Sequence, residues 1–169
     1  MKYFRIGMLV LGAGLLLSAC GIGLNIKTDA QGNTVLDVSL EESVVNRILQ
    51  QAVNNAENSS NNQNGWLNQI DSVDMKPGLI IVTGQRISPD GTKTPGSFDL
   101  TLSAENGQLK ASVSNVQLQG VEVSQEQINQ INERIASELS KAASNSENAE
   151  ITSVNITDNA LQFAITIKK

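Results

Sequence analysis

Hydrophobic residues in this chain recur at two spacings, and the switches between them mark out its elements. From Ile22 to Val38 the spacing is two. Leu24 and Ile26 alternate with polar residues, "TDAQGNT" supplies a turn, and Val35 and Val38 lie on the return, which predicts a hairpin. At Ser39 the period changes. Ser39-Leu40-Glu41-Glu42 has the form of a capping box, its hydroxyl placed for the third helical N–H and Glu42 reaching back. Val44, Val45, Ile48, Leu49, Ala52, Val53 and Ala56 then follow at three- and four-residue steps, the apolar stripe of a helix ending near Glu57. The asparagine-rich run 54–65 can bury too little to order itself and predicts a loop.

Period two returns with Val73 and Met75, a Pro77-Gly78 turn and the β-rich "LIIVTGQRI" (79–87), before a second turn region in "SPDGTKTPG" (88–96). Phe98, Leu100 and Leu102 alternate, Asn106-Gly107 is a hairpin turn, and Leu109, Ala111 and Val113 alternate on the way back. Val116 and Leu118 continue one residue out of phase, which predicts a bulge near Ser114-Asn115. Ser124-Gln125-Glu126-Gln127 is a second capping box, heading a helix with Ile128, Ile131, Ile135, Leu139 and Ala142 on one face. A last hairpin closes the chain, with Ile151, Val154 and Ile156, a turn at Asp158-Asn159, and Leu161, Phe163, Ile165 and Ile167.

These elements define an α+β domain, a curved and mostly antiparallel sheet of about eight strands with both amphipathic helices on one face. Its halves also resemble each other. "DVSLEESVVNRIL" (37–49) matches the pattern of "EVSQEQINQINERI" (122–135), and "SVDMKPGLIIVTG" (72–84) that of "SVNITDNALQFAIT" (153–166). A β-α-β-β unit is used twice, through duplication or through one packing solution reached independently.

The N-terminus changes the picture from fold to location. Lys2 and Arg5 precede an apolar run, Ile6 to Leu17. That run is shorter than the roughly 20 residues needed to span a bilayer and has the length of a signal-peptide core. Leu17-Ser18-Ala19-Cys20 follows, containing the one cysteine of the 169-residue chain. It resembles the lipobox of bacterial lipoproteins. The resemblance implies cleavage before Cys20, a diacylglyceryl thioether on its thiol, and often acylation of the new amine with a chain such as palmitate. Residues 1–19 are then a signal peptide and 20–169 a single domain tethered through lipidated Cys20. Gly21 is not the aspartate that favours inner-membrane retention, so the default is the outer membrane if the bacterium has two. The domain faces the extracytoplasmic side.

Losing Lys2 and Arg5 takes the formal charge from -5 to -7. That argues against nucleic acid and against an electrostatic grip on anionic lipid, so the membrane is a partner through the N-terminal lipid. The chemistry of catalysis is also thin. The chain has no histidine, Cys20 is consumed by lipid, and no phosphate-cradling or serine-activating motif occurs. Glu41-Glu42 are adjacent on a helix and do not face each other, and Asp71 and Asp74 read as a solvated face. No catalytic residue, metal ligand or cofactor is expected. Trp66, the one tryptophan, either caps the core end of the first helix or stands at a ligand mouth or membrane interface.

"SVDMKPGLIIVTG" and, above all, "INERIASELSKA…ITSVNITDNALQFAITI" are similar to LmeA-like envelope proteins and YceB-like lipoproteins, which are related to the tubular lipid-binding (TULIP-like) architecture. The resemblance is strongest over roughly 97–167. It implies a groove between helix and curved sheet that accepts a phospholipid or fatty-acyl chain, lined here by Phe98, Leu100, Leu102, Ile128, Ile131, Ile135, Leu139, Phe163 and Ile165. The same residues are what an ordinary helix-on-sheet core requires. Two functions therefore stand: a tethered protein binding lipid or another apolar ligand, or a structural or protein-interaction lipoprotein with a filled core.

Overall fold

Where the sequence alternates, the computed structural model of the chain has strands, and where it steps by three and four it has helices. The structure describes residues 21–57, 67–144, 146 and 148–168. Residues 1–19, expected to be a signal peptide, Cys20, the 58–65 stretch and Trp66 lie outside the described residues. In chain order the elements are β1 (Ile22–Thr28), β2 (Thr34–Glu41), α1 (Glu42–Glu57), β3 (Gln69–Lys76), β4 (Leu79–Ile87), β5 (Lys93–Glu105), β6 (Gln108–Leu118), α2 (Gln125–Ala143), β7 (Ala149–Ile156) and β8 (Ala160–Ile167). Among the described residues two helices and eight antiparallel strands make an α+β protein that is mostly sheet.

The strands form two sheets where one was expected. The first runs β1-β2-β8-β7 and the second β3-β4-β5-β6. The cause lies in the helices: α1 takes the chain from β2 in the first sheet to β3 in the second, and α2 returns it from β6 to β7. Alternation tells which face of a strand is buried but not which sheet it joins. The helices pack on each other, α1 beside β3 and α2 beside β6, rather than lying on one face of a single sheet. Strand β7 runs past the turns of the other sheet. Its Ile151 N–H donates to the Gly107 carbonyl at 2.9 Å, and its Ile156 carbonyl accepts from Gly78 N–H at 3.0 Å. An outer edge that would otherwise be open is thereby partly paired.

Both edges of the second sheet meet a helix amide. On α1, Gln50 Oε1 accepts from the Ile70 N–H of β3 at 2.7 Å. On α2, Asn132 Oδ1 accepts from the Val113 N–H of β6 at 2.9 Å. The inner faces of both sheets and the stripes of both helices merge in one core, with Leu40, Leu49, Ile80, Leu100, Ile135 and Leu161 fully buried. Among the described residues no polar or charged side chain is buried.

The Asn106-Gly107 turn and one bulge lie where the pattern put them, whereas the expected turn region 88–96 narrows to 88–92, because residues 93–96 pair with β4 and open β5. Asn106 and Gly107 have φ of 52° and 78°, the left-handed pair a tight hairpin turn requires. The β5–β6 register shifts between Ser97 and Asp99, and Asn115 (φ 49°) is part of the extra length on β6. The second capping box is formed: Ser124 accepts from Gln127 N–H, and the Gln127 side chain accepts from Ser124 N–H at 2.9 Å. The first is not. Ser39 stays in β2 opposite Gln162, and pairing with β8 continues to Glu41, so sheet hydrogen bonds claim the residues that could have capped α1.

Candidate functional site

The N-terminal end of the described chain, beginning at Gly21, is held by the β2–α1 junction. Gly21 is at the left-handed φ of 72°, and its carbonyl accepts from Glu41 N–H at 2.9 Å, at the junction of β2 and α1. A β-carbon there would come within 3.0 Å of Glu41 and Val44 side-chain atoms, so glycine suits the position by shape as well as by φ. Strand β1 begins at the next residue.

Strand β1 is an edge strand paired only with β2 within its sheet. Ile22, Leu24 and Ile26 stand opposite Leu40, Val38 and Leu36, so their side chains share the inner, apolar face of the sheet. Cover fails along that row. Leu40 and Val38 are buried and Leu36 half-buried, whereas Leu24 is 44% and Ile26 62% exposed. The opposite face of β1 carries Asn25 and Lys27, with Lys27 Nζ 2.6 Å from Asp37 Oδ2.

The residues expected to line an apolar groove lie together in the core. Phe98, Leu100, Ile131, Ile135, Leu139, Phe163 and Ile165 are all buried, and only Leu102 and Ile128 are partly exposed. All nine belong to or pack against one hydrophobic core cluster. Three open grooves on the molecule have largely other linings, and of the nine residues Phe163 alone borders one of them. One, of about 480 Å³, runs between α2 and the β5–β6 hairpin, with Asn132, Ala136, Ser137, Ser140 and Lys110 along it. Another of about 480 Å³ lies over the first sheet, lined largely by the small and polar residues Gly23, Asp37, Ser39, Asn155, Gln162 and Ala164. A third, about 590 Å³, lies over Gly84 and Gly96. The sequence reading missed all three, because small polar residues at strand positions give no signal distinct from a solvated face.

Carboxylates are dispersed and serve local structure. Asp71 accepts from Gln69 and Gln85 side-chain amides at 2.9 and 2.8 Å, and Asp74 pairs with Lys76 at 3.3 Å. Asp29 and Asp90 organise turns. The Asn33 side-chain amide, helped by backbone N–H groups of the same turn, holds Asp29 below the usual carboxylate value. The Thr92 N–H does the same for Asp90. Among the described residues no group of three or more potential ligands could hold a metal ion, and no helix is long and apolar enough to cross a membrane. No family model, curated protein or solved structure matches this chain.

Proposed function

We propose that this chain is a bacterial envelope lipoprotein, cleaved before Cys20 and lipidated on it, that works as a tethered interaction or structural domain rather than as an enzyme. The lipobox residues Leu17-Ser18-Ala19-Cys20 support the tether. Two acyl chains suffice for stable anchoring where one does not, and each buried CH₂ contributes about 0.8 kcal/mol. The observation that carries the choice between binding modes is the burial of Phe98, Leu100, Ile131, Ile135, Leu139, Phe163 and Ile165 against one another. Side chains packed into one buried core leave recognition to the surface, where the open grooves mix small and polar residues with apolar ones such as Leu109, Ile151, Leu24 and Val38.

The likeness to LmeA-like and YceB-like proteins supports a second reading, binding of a phospholipid or fatty-acyl chain between helix and sheet. Its foothold is Leu102 and Ile128, the two groove residues that solvent reaches in part. A bent sheet belongs to that reading. What supports bending is the row Ile70, Gly84, Gly96, Leu118 across the second sheet, with register shifts beside it in both β3 and β6. A duplicated β-α-β-β unit is supported by the chain order β2-α1-β3-β4 and β6-α2-β7-β8. The strand orders differ, however: β2 lies beside β8, but β5, not β6, lies beside β4.

The tether is tested by intact-mass analysis of the protein extracted from membranes. A mature N-terminus at Cys20 carrying acyl mass is expected. A free Cys20 thiol, or retention of residues 1–19, would remove the basis of the proposal.

A further inference from the structure

We infer that β1 is the surface by which the domain rests on its own membrane, with Leu24 and Ile26 entering the outer boundary of the acyl layer. The inference rests on lipidation of Cys20. Three observations point to it. The first is the length of chain between anchor and fold. Gly21, the residue bonded to Cys20, is hydrogen-bonded to Glu41, and β1 starts at Ile22, so no flexible spacer separates the acylated residue from the strand. At about 3.3 Å per residue, Leu24 lies roughly 7 Å and Ile26 roughly 13 Å along the strand from Ile22. A strand lying along the surface keeps both at the interface; one standing upright carries Ile26 into water.

The second is where exposed bulk lies. Leu24 and Ile26 are the exposed large hydrophobic side chains among the described residues, and both are on one face of this strand. Their other face is polar, through Asn25 and Lys27. The third is charge. A mature chain at -7 gains nothing from anionic headgroups, so close apposition needs apolar contacts, and these two supply them. The free edge of β1 sets the depth. Its unpaired N–H and C=O groups need water or headgroup partners, so the backbone stays among the headgroups while the side chains reach inward.

The absence of a second cysteine makes the test direct, since a single introduced thiol is the only labelling site once Cys20 is lipidated. Leu24→Cys, Ile26→Cys, Asn25→Cys and Lys27→Cys, each in the full lipidated chain, are labelled with a small fluorophore. They are then reconstituted in vesicles of phosphatidylethanolamine with a minority of phosphatidylglycerol. A quencher on the lipid acyl chain is expected to quench positions 24 and 26 several-fold more than 25 and 27, with a water-soluble quencher showing the reverse order. Equal and purely aqueous quenching at all four positions, with acylated Cys20 found in the N-terminal peptide, would overturn the inference and leave the anchor intact. Unmodified Cys20 would overturn both. Shielding of 24 and 26 from both quenchers that disappears on dilution with lipid would assign the strand to a second copy of the chain, and would overturn it too.

Discussion

Gly84 shows how much a single position can decide. It sits opposite Ile70 in β3 and Gly96 in β5, where the β3 register shifts, and an added β-carbon would collide with the Gln69 carbonyl oxygen. A backbone oxygen held in a sheet cannot swing aside like a long side chain. Gly84→Ala should therefore destabilise by about 2 kcal/mol or more, at the upper end of overpacking effects. Urea unfolding should show a lowered midpoint with an unchanged slope; a midpoint equal to that of the parent would show that the sheet yields there freely. Glycine within "LIIVTGQRI" is readable from sequence as a weak point in a strand. That its neighbour is a second glycine and its obstacle the Gln69 carbonyl depends on strand register, which the one-dimensional pattern does not contain.

Two capping boxes of similar composition head the two helices, and only one is built. Ser124 caps α2, while Ser39 belongs to β2. Ser124→Ala should cost about 1 kcal/mol, the usual loss for an N-cap, whereas Ser39→Ala should leave α1 stability unchanged. Thermal unfolding of the two variants checks this, and equal losses would contradict it. The pattern was ambiguous at Ser39 because Leu40 satisfies both periods. As a strand residue it pairs with Leu161 and is fully buried, and that packing outweighs the local preference for a cap. Elements rich in one period were legible almost to their ends: the hairpin turns, the bulge at Asn115 and the α2 stripe all follow from it. The division into two sheets was not, since it arises from where α1 and α2 deliver the chain. The nine proposed groove residues were legible as inward-facing apolar positions, seven of them buried in one core, but periodicity cannot distinguish a lined groove from a filled core.

As a whole molecule the protein joins an interior that is purely apolar among the described residues to an acidic, histidine-free chain composition, and this sets its response to pH. Asp29 and Asp90 titrate below the usual carboxylate value in the folded state. A lowered folded value contributes stability above the unfolded value of about 3.9, and that contribution is lost as pH falls through the folded value. The chain lacks histidine, the side chain whose charge ordinarily changes between about pH 5 and 8, so the melting temperature should be flat there and fall below about pH 4 as the Asp29 and Asp90 contributions are lost. A step near neutrality would contradict this and would require a strongly shifted group.

The central claim is that the domain is solid inside and meets its partners at its surface. It is tested most directly on the chain secreted with an ordinary cleavable signal in place of residues 1–19 and Cys20→Ser. Native mass spectrometry after purification without detergent should give the mass of the polypeptide alone. A phospholipid or fatty acid retained at near-stoichiometric occupancy would contradict the claim and assign Phe98, Ile131, Leu139 and their neighbours to a ligand groove.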